Sequence, residues 1–185
     1  VAADGTGDFT SIQKAIDSAP EFSAKRYVIF IKDGVYDQEK LIIPAEKQNV
    51  SLIGESREGT VISYCMYEGK SVVSGDRLPV ELWRKWNGNP LLVNTAATLT
   101  VIGDGTRLEN LTIRNTAGPV GQAQALTNRA DRVSVVNCTL SGYQDTLYLW
   151  TFGKRIYFRN CLVIGRTDYI YGGNVAYFDD CELRT

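Results

Sequence analysis

The sequence predicts an all-β fold wound as a parallel solenoid, and three observations predict it. Short β-branched and aromatic runs recur along the chain. Only one segment has helical periodicity. The second half repeats one pattern at intervals of 20 to 27 residues.

The repeat appears when LENLTIRN (Leu108–Asn115), VVNCTLSG (Val135–Gly142), FRNCLVIG (Phe158–Gly165) and FDDCELRT (Phe178–Thr185) are aligned. An Asn or Asp then recurs at Asn110, Asn137, Asn160 and Asp180, spaced 27, 23 and 20 residues apart. A helix-free repeat of this length indicates a β-solenoid, because each unit can bury its apolar face only against its neighbours. The LxxLxL pattern of a leucine-rich repeat is absent. Equivalent residues of successive coils stack about 4.8 Å apart, so Cys138, Cys161 and Cys181 should form a column. That column is either a ladder of small buried thiols or the site of a disulfide between neighbouring coils. Neither makes the cysteines catalytic.

The elements follow in order. Thr10-Ser11-Ile12-Gln13 matches a capping box with Thr10 as N-cap. Ile12, Ala15, Ile16 and Ala19 then form one apolar helical stripe, stopped by Pro20. Strands are expected in RYVIFIK (Arg26–Lys32), closed by a turn at Asp33-Gly34, and in KLII (Lys40–Ile43) and NVSLI (Asn49–Ile53). Two more are TVIS (Thr60–Ser63) and TLTVI (Thr98–Ile102). A long loop from about Tyr64 to Pro90 carries Tyr64, Tyr67, Trp83 and Trp86, and loops of that length are often functional.

The chain of 185 residues suits one β-helix domain over 1–185, with the short helix capping one end. The sequence stops within the fourth aligned strand, so the natural protein is expected to continue beyond it. No apolar run approaches the ~20 residues of a membrane span, and scattered Lys and Arg with a net charge of −1 give no footprint for nucleic acid. No signal peptide opens the chain; a secreted protein would have had it removed.

The absence of histidine narrows the chemistry. It excludes Ser-His-Asp and Cys-His triads and His-based metal sites, which leaves acid–base work to carboxylates, Lys, Tyr or Cys. Without a CxxC pair, zinc and thioredoxin-like chemistry are not expected. Three polar segments fall at related phases of consecutive coils: Gly121-Gln122-Ala123-Gln124-Ala125-Leu126, Gly142–Tyr148 and Asp168–Gly173. Stacked, they would bring two carboxylates and one or two amides to one face. One such residue alone is better read as satisfying turn backbone; three in register favour a site.

The second of these segments, GYQDTLY, is similar to a signature of the pectin methylesterases (pectinesterases, carbohydrate esterase family 8). DYIYGG resembles their DFIFG motif and GQAQAL their QAVAL motif. The opening DGTGDFTSIQKAI and KDGVYDQE resemble the family's N-terminal coil, so the resemblance spans the whole chain in the family's order. It implies a right-handed parallel β-helix that hydrolyses methyl esters of homogalacturonan, with no cofactor and no metal. Asp168 would be the nucleophile, and Asp145 the general acid that then acts as base. Gln122 and Gln144 would be the oxyanion donors. Tyr143, Tyr148 and Tyr171 would line the cleft, and Trp83 and Trp86 could extend it; packing is the competing reading for Tyr143 and the two tryptophans. The resemblance further implies a secreted monomer that binds pectin, neither nucleic acid nor membrane.

The family's LGRPW arginine, which pairs with the nucleophile, is not within this chain. Arg166, two residues before Asp168 and on the same side of an extended strand, is the candidate substitute. The rival readings are a non-catalytic pectin-binding β-helix, and a glycoside hydrolase or lyase on the same fold. Lyases of this fold usually need calcium, and no acidic cluster resembles a calcium cage. Sequons occur at Asn49, Asn110 and Asn137; the last two fall in core-adjacent strands and read as chance matches.

Overall fold

The computed structural model describes residues 1–68 and 96–185. Among the described residues it is all-β apart from one short helix, and every strand pairing is parallel. Three sheets form the faces of the solenoid, with six, six and five strands among the described residues. The first face contains Tyr27–Ile31, Val50–Gly54, Arg107–Glu109, Val133–Val136, Arg155–Arg159 and Val175–Asp179. The second runs from Gly34–Tyr36 through Thr139–Ser141 to Glu182–Arg184. The third holds Leu41–Ile43, Leu99–Val101, Leu126–Asn128, Leu147–Leu149 and Ile170–Gly172.

In-register pairing turns period-two patterning into inward columns. On the first face Ile29, Leu52, Leu108, Val135, Phe158 and Phe178 lie in one line. The Phe158 and Phe178 rings stack at 4.5 Å. On the third face the line is Leu41, Leu99, Leu126, Leu147 and Ile170. These columns meet in one apolar core. Each fully buried aliphatic or Phe side chain contributes roughly 1.5–3 kcal/mol.

Each aligned octet spans two strands joined by a corner. The recurring Asn110, Asn137, Asn160 and Asp180 have φ of 53°, 51°, 51° and 51°. Asn and Asp are the non-glycine residues that best tolerate this left-handed region. The amide of Asn137 donates to Oδ1 of Asn110 at 2.8 Å, and that of Asn160 to Oδ1 of Asn137 at 3.0 Å. Each corner then turns Leu111, Cys138, Cys161 and Cys181 toward the core. The three cysteines are unbridged thiols, so the column is the packing ladder. Burial pushes the Cys161 thiol up to about 11.

Two local expectations are corrected. The helix Ile12–Ser18 is capped by Ser11, whose hydroxyl accepts from the Lys14 N–H at 3.1 Å. Gln13 does not return to the cap; its amide pairs with both backbone groups of Ile42. The Glu39 carboxylate takes over the first-turn N–H groups of Ile12 and Gln13, the favoured place for a negative charge. The strand Tyr27–Ile31 ends before Asp33-Gly34 as expected, but an unexpected strand, Gly34–Tyr36, opens directly after the bend. That strand is too short for periodicity to reveal. Among the described residues no helix is long and apolar enough to cross a membrane.

Candidate active site

The site lies where chain enters the third sheet. Leu126, Leu147 and Ile170 are register partners. Two residues earlier in each coil stand Gln124, Asp145 and Asp168, which therefore occupy equivalent positions. Both aspartates are left-handed, with φ of 64° and 47°, and the Asp145 N–H donates to the Thr167 carbonyl at 3.0 Å. The tight turn before Asp145 needs Gly142, because a Cβ there would lie 2.8 Å from the Thr146 hydroxyl.

The two carboxyls have unlike surroundings. Asp145 is 6% exposed, whereas Asp168 is exposed. Burial raises the proton affinity of Asp145 above that of an ordinary carboxyl, and the Asp168 charge adds to the rise. The neighbouring polar side chains of Tyr171, Gln124 and Gln144 act in the opposite direction. The pair thus joins a carboxyl biased toward its acid form with an exposed carboxyl in the next coil. Such a pair suits nucleophilic attack with proton delivery.

The predicted residues do not all converge. Gln144 reaches Asp145, but Gln122 is exposed and its carbonyl accepts from the Glu68 N–H at 2.9 Å. Tyr148 and Tyr171 are register partners whose rings stack. Tyr143 lies one column over, its ring 5.9 Å from the Arg166 guanidinium. That contact corrects the role expected for Arg166. Residues 166–168 form a bend and turn rather than an extended strand, and among the described residues Arg166 has no ion pair with Asp168. Trp83 and Trp86 lie outside the described residues, whereas Tyr64 closes the strand Thr60–Tyr64.

Three residues at the site were not singled out from sequence. Gln124 completes the aspartate column, and its alternation with Gln122 was the available signal. Trp150 stacks on Tyr148 with centroids 4.8 Å apart, as the spacing Tyr148-Leu149-Trp150 allows on one strand face. The Arg129 guanidinium lies over the Trp150 ring, 4.4 Å from its centroid; no sequence pattern marks it. Among the described residues no group of three or more His, Cys, Asp or Glu is arranged to hold a metal ion.

Comparison with known proteins gives this geometry a family. A plant relative, pectinesterase/pectinesterase inhibitor PPE8B of Prunus persica, is 36% identical over 184 residues, covering 99% of this chain and 31% of that protein. The carrot pectin methylesterase structure superimposes with a TM-score of 0.81 at 31% identity, covering 98% of this chain and 50% of that one. A pectin methylesterase solved in complex with a hexasaccharide matches at 32% identity and a TM-score of 0.77, over 98% of this chain and 52% of that one. The chain therefore spans about a third or less of the curated relatives and about half of the solved structures. The Pectinesterase family model matches residues 1–185, and the chain belongs to that family.

Proposed function

We propose that this protein removes methyl esters from pectin, releasing methanol and leaving galacturonate. The supporting observation is the unlike aspartate pair: Asp145 buried with raised proton affinity, and Asp168 exposed in the next coil. Asp168 attacks the ester carbonyl. The resulting oxyanion takes hydrogen bonds from the amides of Gln144 and Gln122. As the C–O bond to methoxide breaks, Asp145 gives its proton and methanol leaves. Asp168 is now acylated as an anhydride. Asp145, ionised, takes a proton from water while the hydroxide attacks the acyl carbon. Collapse frees the Asp168 carboxylate and the sugar carboxyl, and Asp145 is again an acid. Tyr148 and Tyr171 offer ring faces to the C–H faces of the sugar. Pectin lies in cell walls, so this substrate places the protein outside the cell, acting as a monomer.

The test is methanol release from methylated homogalacturonan by wild type and Asp168→Ala. Release that the substitution abolishes supports the proposal; release that survives it, or new reducing ends, overturns it. A second reading is pectin binding without turnover. It is favoured by one observation: among the described residues no cation pairs with Asp168. Affinity for the polysaccharide with no methanol would select it.

A further inference from the structure

Gln124 shares the aspartate column but carries no charge, and it is 1% exposed. It stands where the QAVAL motif has valine, and Tyr171 stands where DFIFG has its second phenylalanine. Both departures replace an apolar group by a hydrogen-bonding one, and the two new groups meet. Nε2 of Gln124 donates to the Tyr171 hydroxyl at 3.2 Å across the coil that carries Asp145, and both side chains lie close enough to the Asp145 carboxyl to lower its proton affinity. A buried amide is costly unless it is bonded, yet Oε1 of Gln124 has no partner.

The orphan oxygen is informative. Rotating the terminal amide by half a turn exchanges Nε2 and Oε1. Either orientation satisfies one atom at Tyr171; the charge on Asp145 favours Nε2 facing inward, and protonation of Asp145 removes that bias. A tyrosine hydroxyl both donates and accepts. The chain can therefore run in two directions. With Asp145 ionised, Gln124 donates to Tyr171 and Tyr171 donates to the carboxylate. With Asp145 protonated, its O–H donates to Tyr171, and Tyr171 donates to Oε1 of Gln124.

We infer that Gln124 is a positioning residue that works with Tyr171 as a reversible hydrogen-bond chain, holding Asp145 in one geometry in both of its protonation states. The inference rests on the reading of Asp145 as an acid that becomes a base, and it explains a need specific to that cycle. Without the chain, the carboxyl must find new partners twice in each turnover.

The test is titration of Asp145 by NMR of protein labelled with ¹³Cγ-aspartate, its signal assigned by loss in Asp145→Asn. This readout needs no activity. Gln124→Met and Tyr171→Phe each remove a link while keeping volume, and Tyr171→Phe retains the ring stack should Gln124→Met fail to fold. Each single variant should shift the Asp145 titration upward, because hydrogen bonds to the charged form are the stronger ones. The double variant should shift it by less than the sum of the two singles. In methanol release, each should lower kcat about tenfold with KM unchanged, one lost hydrogen bond to a charged group being of that order. Unshifted titrations, or additive shifts in the double variant, overturn the inference. Coupled shifts in a protein that releases no methanol would keep the chain and sink the esterase reading; methanol release with unshifted titrations would do the reverse.

Discussion

Tyr148 and Tyr171 lie one above the other in adjacent coils, with ring centroids 4.2 Å apart and planes within 9°. The stack continues along the strand to Trp150. Ring pairs of this kind are worth about 0.5–1.5 kcal/mol beyond their buried area. Tyr148→Ala should therefore weaken binding of homogalacturonan oligosaccharides several-fold, with Tyr148→Phe near wild type. Isothermal titration of both variants checks this; equal losses would assign the effect to the hydroxyl instead.

Gln144 reaches the Asp145 carboxyl and is a proposed oxyanion donor. Loss of one such donor typically costs about 10²–10³ in kcat. Gln144→Ala should show that loss in initial rates of methanol release. Gln122→Ala should match it only if substrate draws the exposed Gln122 side chain inward.

The sign of pH-dependent stability separates two aspartates. Asp145 in the folded protein holds its proton above the ordinary value of 3.8, chiefly through burial. Its contribution is fully favourable below that value and is lost as pH rises through the raised one. Asp145→Asn should raise the melting temperature at pH 7 and leave it unchanged at pH 3. Asp131 behaves oppositely, because hydrogen bonds from Arg155 hold it well below the usual range. Its contribution is present above 3.8 and fades as pH falls, so Asp131→Asn should lower the melting temperature at pH 7. Thermal unfolding followed by circular dichroism at both pH values tests the two signs together.

Asn137 combines a left-handed backbone with two side-chain bonds along the ladder. A left-handed conformation costs an ordinary residue roughly 1–2 kcal/mol, and a hydrogen bond contributes about 1 kcal/mol. Asn137→Ala should destabilise by about 3–4 kcal/mol and Asn137→Gly by about 2 kcal/mol, since glycine restores only the backbone freedom. Urea unfolding of the two variants gives the comparison.

The sequence showed its fold wherever a single residue type was forced by backbone geometry. Asn110, Asn137, Asn160 and Asp180 were recognisable because the corner conformation admits few side chains. The inward columns were visible for the related reason that parallel register repeats the apolar places. The aspartates were found because their segments recur at one phase of successive coils. Other features depend on contacts between coils that no local pattern records. Gln124 is meaningful only beside Tyr171, 47 residues away. The helix cap depends on Glu39, 28 residues beyond Ser11. The pairing of Arg166 with Asp168 requires an extended backbone, whereas the bend and turn that make Asp168 left-handed carry Arg166 over Tyr143.

The asparagine corners stay in line although the coils between them run to 27 and 23 residues. Extra chain must therefore be taken up at the other bends of the coil, leaving one edge as a fixed spine. Insertions and deletions there reshape the wall that carries Asp145 and Asp168 without disturbing the rungs beneath it. The fold thus separates the part that can diversify from the part that must repeat.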